Sequence, residues 1–195
     1  MTAAPIIFHA VIAAAGLWLA IRTRRPLTLS VYFGFVLVAS LAGLPLLSHT
    51  GKNAYRLAYF SVEITHSLIL VALAVDLMAH LVSDRLAVFW SVFWISLALV
   101  GIFHKRPNTT TAALLDTSIA LQFCVLGLLL VLVLAPNVRW TRYARLCASG
   151  IALIALGAAL PHLHWLQSGE QIIIAFQLSD LVGLGVLVAA ARTSQ

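Results

Sequence analysis

Seven long apolar runs follow one another along this chain, separated only by short basic, polar or proline-containing turns. They lie at about 5–21, 27–47, 55–81, 86–103, 109–135, 143–160 and 171–191. A helix needs ~20 residues to cross a hydrocarbon core. In lipid the backbone must satisfy its own hydrogen bonds, so only helices and closed barrels can span. A barrel strand alternates apolar and polar residues over shorter segments, and a run such as Leu126 to Leu134 does not alternate. The pattern therefore predicts an all-α, polytopic bundle of seven transmembrane helices, with residues 1–195 forming a single transmembrane domain. The first run is short, and only Asp84 and Arg85 divide the third from the fourth, so six spans is the alternative count.

Composition agrees. Hydrophobic residues make up 62% of the chain and charged residues 9%, against about 25% charged in soluble domains. Mean hydropathy is +1.03. The net charge of +6 does not mark a nucleic-acid binder. Its basic residues sit between apolar runs, as topology signals do, with no interleaved aromatic stripe for single strands.

Orientation follows from the basic residues. Arg22, Arg24, Arg25, Arg85, Arg139, Arg142, Arg145 and Arg192 fall on one side, and Lys52, Arg56, Lys105 and Arg106 on the other. The excess predicts an N-out, C-in arrangement. Signal peptides carry positive charge before the apolar segment. Here the arginines follow the first run, as in an N-out signal anchor. No internal repeat of the transporter kind is visible.

Ionisable groups at membrane depth mark candidate sites. Glu63, Asp76, Asp116 and Asp180 lie inside predicted spans, whereas Asp84 and Glu170 sit at turns. On the third helix, Tyr55, Tyr59, Glu63, His66, Asp76 and His80 share an arc of about 140°. That stripe must face other helices or a cavity. Glu63-x-x-His66 puts two potential metal ligands on one face, but di-iron bundles carry this motif on two helices, and no second copy occurs. The alternative is a Glu and a His bonded to neighbouring helices. His66 and His80 are spaced as in stacked b-type haem proteins, without a matching pair on a second helix.

His9, Glu63, His66, Asp116 and Asp180 fall at similar depth, in the outer half or near the midplane. With His162 and His164 they could line an outward-facing polar pocket. A His162/His164 metal site would need a third ligand, and interfacial solvation is the plainer reading. Asp76 and His80 lie near the inner end, where an interfacial cluster with Arg85 is expected. Gln177, Asp180, Gly183 and Gly185 suggest close packing of the seventh helix, and Gln122 is a candidate interhelical donor. Trp90, Trp94, Trp140 and Trp165 read as an interfacial belt. Cys124 and Cys147 form no metal pattern and read as free, buried thiols.

Some chemistries have no residues to carry them. The only lysines, Lys52 and Lys105, fall in turns, so no buried lysine is available for a retinal Schiff base. No G-x-S-x-G, H-E-x-x-H, phosphate-loop or dinucleotide motif occurs.

Tyr55-x-x-x-Tyr59-x-x-x-Glu63, followed by Asp76, resembles a group of small bacterial seven-helix membrane proteins common in acidobacteria. The basic turn Arg139 to Arg145 and the short seventh span also fit. The likeness covers most of the chain and implies fold and location, a multi-pass protein of the bacterial inner (plasma) membrane. Phe176-x-x-x-Asp180 with the preceding His162-x-His164 is also similar to subunit III of haem-copper oxidases. There the motif order departs, because the histidines here lie too close to the last helix.

The expectation is a non-catalytic membrane protein with no cofactor: an accessory subunit of a membrane complex, or a ligand sensor working through a partner. Its surroundings are the lipid bilayer and other membrane subunits. The alternatives are a redox subunit holding b-type haem or quinone near His66, and a proton-coupled carrier using Glu63, Asp116 and Asp180.

Overall fold

The computed structural model describes residues 3–49, 52–105, 110–136, 138–159 and 169–193, with side chains for 6–42, 61–102, 113–114, 116–136, 138–159 and 177–193. Among the described residues the chain is all-helical: α1 (Ala3–Arg22), α2 (Leu27–His49), α3 (Lys52–Leu81), α4 (Asp84–Lys105), α5 (Thr110–Leu134), α6 (Arg142–Ala159) and α7 (Gly169–Arg192). Four stretches are long and apolar enough to cross a membrane: Ser61–Leu81, Asp84–Ile102, Asp116–Leu134 and Arg142–Ala159. Shorter apolar stretches occupy Ile6–Arg22 and Leu27–Ala42. By these helices the chain is a membrane protein.

Local chemistry sets the helix limits. Ser83 caps α4, its Oγ accepting the amide of Leu86 at 3.3 Å. Thr141 caps α6 in the same way, accepting the amide of Ala144 at 3.1 Å. Each cap satisfies one of the amide donors that a helix start leaves without a partner. The end of α1 is a Schellman turn. The amide of Arg25 bonds the carbonyl of Ala20 at 2.9 Å and that of Arg24 bonds Ile21 at 3.2 Å. The residue between the two bonds normally adopts the left-handed conformation, and here Arg24 does so with φ 52°. The turn swings Arg25 back toward the bundle just before Pro26 starts the next helix.

Packing runs α1 on α2, α2 on α3, α3 on α5, α5 on α6, α6 on α7, and α7 back onto α1. Within that ring α3 also reaches α6, while α4 leans on the outside against α3 and α5. Accordingly α4 presents exposed Leu86, Val88, Phe89, Val92, Phe93 and Val100, a surface suited to lipid rather than water. The core joins Leu29, Tyr32 and Phe33 of α2 to Leu70 and Met78 of α3, Leu128 and Leu132 of α5, and Ile151 and Ile154 of α6.

Small residues decide the closest approaches. A Cβ on Gly183 would lie 2.5 Å from Ile154 and 2.9 Å from the carbonyl of Gly150, so α6 and α7 meet almost backbone to backbone. Gly185 faces open space. Of the two glycines expected to allow close packing, one does. Trp94 of α4 packs against α5. Its ring lies over Gly127 of α5, where a Cβ would strike it, so the absence of a side chain at 127 gives the indole its seat. Cys124 and Cys147 are free and buried, as expected.

Candidate functional site

Two groups of polar side chains gather inside the bundle. The first surrounds Tyr32 of α2, which is fully buried. A buried phenol needs a partner for its hydroxyl, and Tyr32 Oη lies 3.0 Å from His66 Nε2 of α3. The two rings stack at 5.5 Å between centroids, and Phe35 stacks on the same imidazole at 6.1 Å. Glu63 and Asp180 both lie within electrostatic range of the Tyr32 hydroxyl. Asp180 Oδ2 in turn stands 2.9 Å from His9 Nε2, joining α7 to α1. Three of the residues picked from the sequence are thus paired inside the bundle, His66 with Tyr32 and His9 with Asp180, and Tyr32 is one the sequence reading passed over. Its signal was a tyrosine inside an otherwise apolar run.

Asp116 belongs to another part of the bundle wall. It lines a separate groove of about 270 Å³ between α4 and α5, with Trp94, Ile119 and Phe123. Gln122 meets the expectation of an interhelical donor, reaching Ser67 Oγ of α3 at 2.7 Å. Ser67 also bonds the carbonyl of Glu63 at 2.8 Å and stands 3.3 Å from Ser118 Oγ. The side chain of Tyr59 and the residues His162, His164 and Trp165 lie outside the described residues. Among the described residues no three His, Cys, Asp or Glu side chains are placed to hold one metal ion, so Glu63 and His66 gain no third ligand there. Nε2 of His66, one of the two nitrogens able to ligate iron, is engaged by Tyr32.

The second group lies at the end of the bundle where the α1–α2 turn, the end of α3 and the start of α6 meet. A cavity of about 330 Å³ opens there, with Arg25, Asp76, His80, Thr141, Arg142 and Tyr143 around it. Its apolar wall is Pro26, Leu73, Leu77 and Cys147. Arg25 is only 7% exposed. The Schellman turn carries its guanidinium over the Tyr143 ring, 4.6 Å from the centroid, a favourable cation–π position. Nη2 donates to Thr193 Oγ1 at 3.3 Å, beyond the end of α7. Thr23 of the same turn donates to the carbonyl of Ala191 at 3.2 Å, so this turn closes the C-terminus of α7. Among the described residues the buried Nε of Arg25 has no hydrogen-bond partner.

Asp76 forms the opposite wall and accepts a bond from Thr28 of α2 at 2.8 Å. The expected cluster of Asp76 with Arg85 does not form, since no ion pair joins them among the described residues. Arg85 begins α4 and is exposed, whereas Asp76 points back across α3 toward α2. In the sequence Arg25 was one of several basic residues reporting topology, and nothing local distinguished it from Arg22 or Arg24.

Comparison with known protein families, curated proteins and solved structures finds no match to this chain.

Proposed function

We propose that this chain is a non-catalytic sensor or accessory subunit, binding a small ligand at one end of its helix bundle and acting through a partner in the membrane. All seven helices cross the bacterial inner membrane in this reading, as in the acidobacterial seven-helix proteins that the sequence resembles, and the bias of basic residues puts the N-terminus outside. The cavity then faces the cytoplasmic side. One observation supports the reading above others: Asp76 is at once a wall of the cavity and the acceptor that holds Thr28 of α2. A ligand whose charge acts on Asp76 changes the bond between α2 and α3, and packed helices respond to such changes in discrete steps. The helix that carries Asp76 also carries His66 and Ser67, which bind α2 and α5. A change at the cavity therefore has a path to the rest of the bundle.

The test has two arms. Single cysteines at Ser83 and Thr193, in a chain lacking Cys124 and Cys147, should react only from the cytoplasmic side, and one at Lys105 only from outside. Purification in mild detergent should retain a partner subunit, in an amount that changes with Asp76→Asn. A chain that purifies alone, with or without that substitution, would overturn the partner role.

A second reading is favoured by the pairing of His9 with Asp180 and of His66 with Tyr32 inside the bundle. Carboxylates and histidines assembled inside a membrane protein suit a proton relay, and a proton-coupled carrier would use them so. Reconstituted vesicles in which Glu63→Gln leaves proton-driven transport unchanged would remove Glu63 from that role.

A further inference from the structure

The cavity at the α1–α2 turn is built to hold an anion. Two independent features converge on it. The first is the start of α6. A helix start carries amide donors without intrahelical partners and the positive end of the helix dipole, a combination that binds phosphate and carboxylate. Thr141, Arg142 and Tyr143 of that first turn line the cavity. Thr141 caps one amide, that of Ala144. A basic residue, Arg142, stands where an acidic one is usually favoured, so the first turn itself supplies no negative charge.

The second feature is Arg25. It is more than nine-tenths buried, lines the same cavity, and among the described residues keeps a buried Nε without a hydrogen-bond partner. Leaving a buried donor of a charged group unpaired is unfavourable. Thr193 and the face of Tyr143 account for part of the guanidinium, and among the described residues its charge stands in the cavity wall without an ion-pair partner.

Charge and shape narrow the ligand. Arg25 and Arg142 contribute two positive charges and Asp76 one negative, a balance of +1 among the arginines and the aspartate. A singly charged phosphodiester neutralises that balance, whereas a doubly charged phosphate monoester would overshoot it beside Asp76. The remaining wall is apolar, made of Leu73, Leu77, Pro26 and Cys147, and suits a hydrocarbon chain. The volume of about 330 Å³ lies at the lower end of the range for small-molecule sites, about 300–1,000 Å³. It is enough for a headgroup whose chains continue into the bilayer.

We infer that this cavity binds the phosphodiester headgroup of a phospholipid, the phosphate seated between Arg25 and the start of α6. The inference rests on the reading above that the cavity holds a ligand, and names that ligand's class.

The test is lipid binding to the full chain in detergent, measured by native mass spectrometry and thermal shift, with phosphatidylglycerol, diacylglycerol and inorganic phosphate as probes. One phosphatidylglycerol should bind and resist detergent exchange, while diacylglycerol, which has the chains without the phosphate, should not. Arg25→Gln should weaken binding at least tenfold. Because Arg25 also closes α7, the exposed Arg142→Gln serves as the second variant and should weaken binding severalfold without lowering the melting temperature. Asp76→Asn removes the one negative wall and should tighten binding severalfold, which a merely structural aspartate would not do. Equal binding of diacylglycerol, or affinities unchanged in both Arg142→Gln and Asp76→Asn, would overturn the inference. Inorganic phosphate that binds as tightly as the lipid and displaces it would assign the site to free phosphate and overturn the lipid as its source. A partner that co-purifies while no phosphate-bearing probe binds would refute the ligand class and leave the partner role standing.

Discussion

His9 Nε2 and Asp180 Oδ2 stand 2.9 Å apart, joining the first helix to the last across 171 positions of sequence. Both side chains are mostly buried, 14% and 19% exposed. Interhelical bonds matter in lipid because the apolar surroundings offer no competing partner, yet their measured contributions are modest.

Removing one member of that pair takes from the other its bond across the bundle. Asp180→Ala and His9→Ala should each lower stability by about 1–2 kcal/mol, read from unfolding in detergent. The double substitution should cost less than the sum of the two, because both remove the same contact. Strict additivity would show that the contact contributes nothing.

The Tyr32 hydroxyl can be removed while its ring remains. Tyr32→Phe keeps the stacking on His66 and loses only the 3.0 Å bond. A loss of about 1 kcal/mol is expected, and an unchanged melting temperature would show the hydroxyl to be idle.

The two glycines of α7 should behave oppositely. Gly183→Ala drives a methyl group toward Ile154 and the carbonyl of Gly150, and should destabilise by about 1–3 kcal/mol. Gly185→Ala meets nothing within 4 Å and should stabilise by up to about 1 kcal/mol through helix propensity. Thermal unfolding of the two variants side by side checks the sign of each.

Arg24 holds the left-handed position of the α1 turn with φ 52°, a conformation that costs a side-chain-bearing residue about 1–2 kcal/mol and glycine almost nothing. Arg24→Gly should therefore raise stability by about 0.5–1 kcal/mol, after allowing for the greater freedom of glycine in the unfolded chain. A lower melting temperature would mean that the arginine side chain contributes more than its backbone strain removes.

The seven helices were legible in the sequence because their cause is local. Each apolar run must satisfy its own backbone, so its length and ends follow from residues within it. Asp84, the turn after His104 and Pro136 mark limits that the helices keep to within a few residues. The stripe on α3 was legible for the same reason, since helical periodicity alone puts Glu63, His66 and Asp76 on one side. What those side chains meet is a different matter. Tyr32 reaches His66, Thr28 reaches Asp76, and Arg25 reaches Thr193 and Tyr143 only because α2, α3, α6 and α7 become neighbours. Nothing local separates Gly183 from Gly185, or Arg25 from Arg24. The first pair is sorted by which face of α7 meets α6, the second by a left-handed turn without a glycine to announce it. The sequence alone determined that this chain is a set of apolar helices with its polar groups turned inward, because hydrocarbon cannot solvate them. Only the tertiary structure decided which polar groups meet and where a cavity is left, because that depends on how whole helices fit against one another.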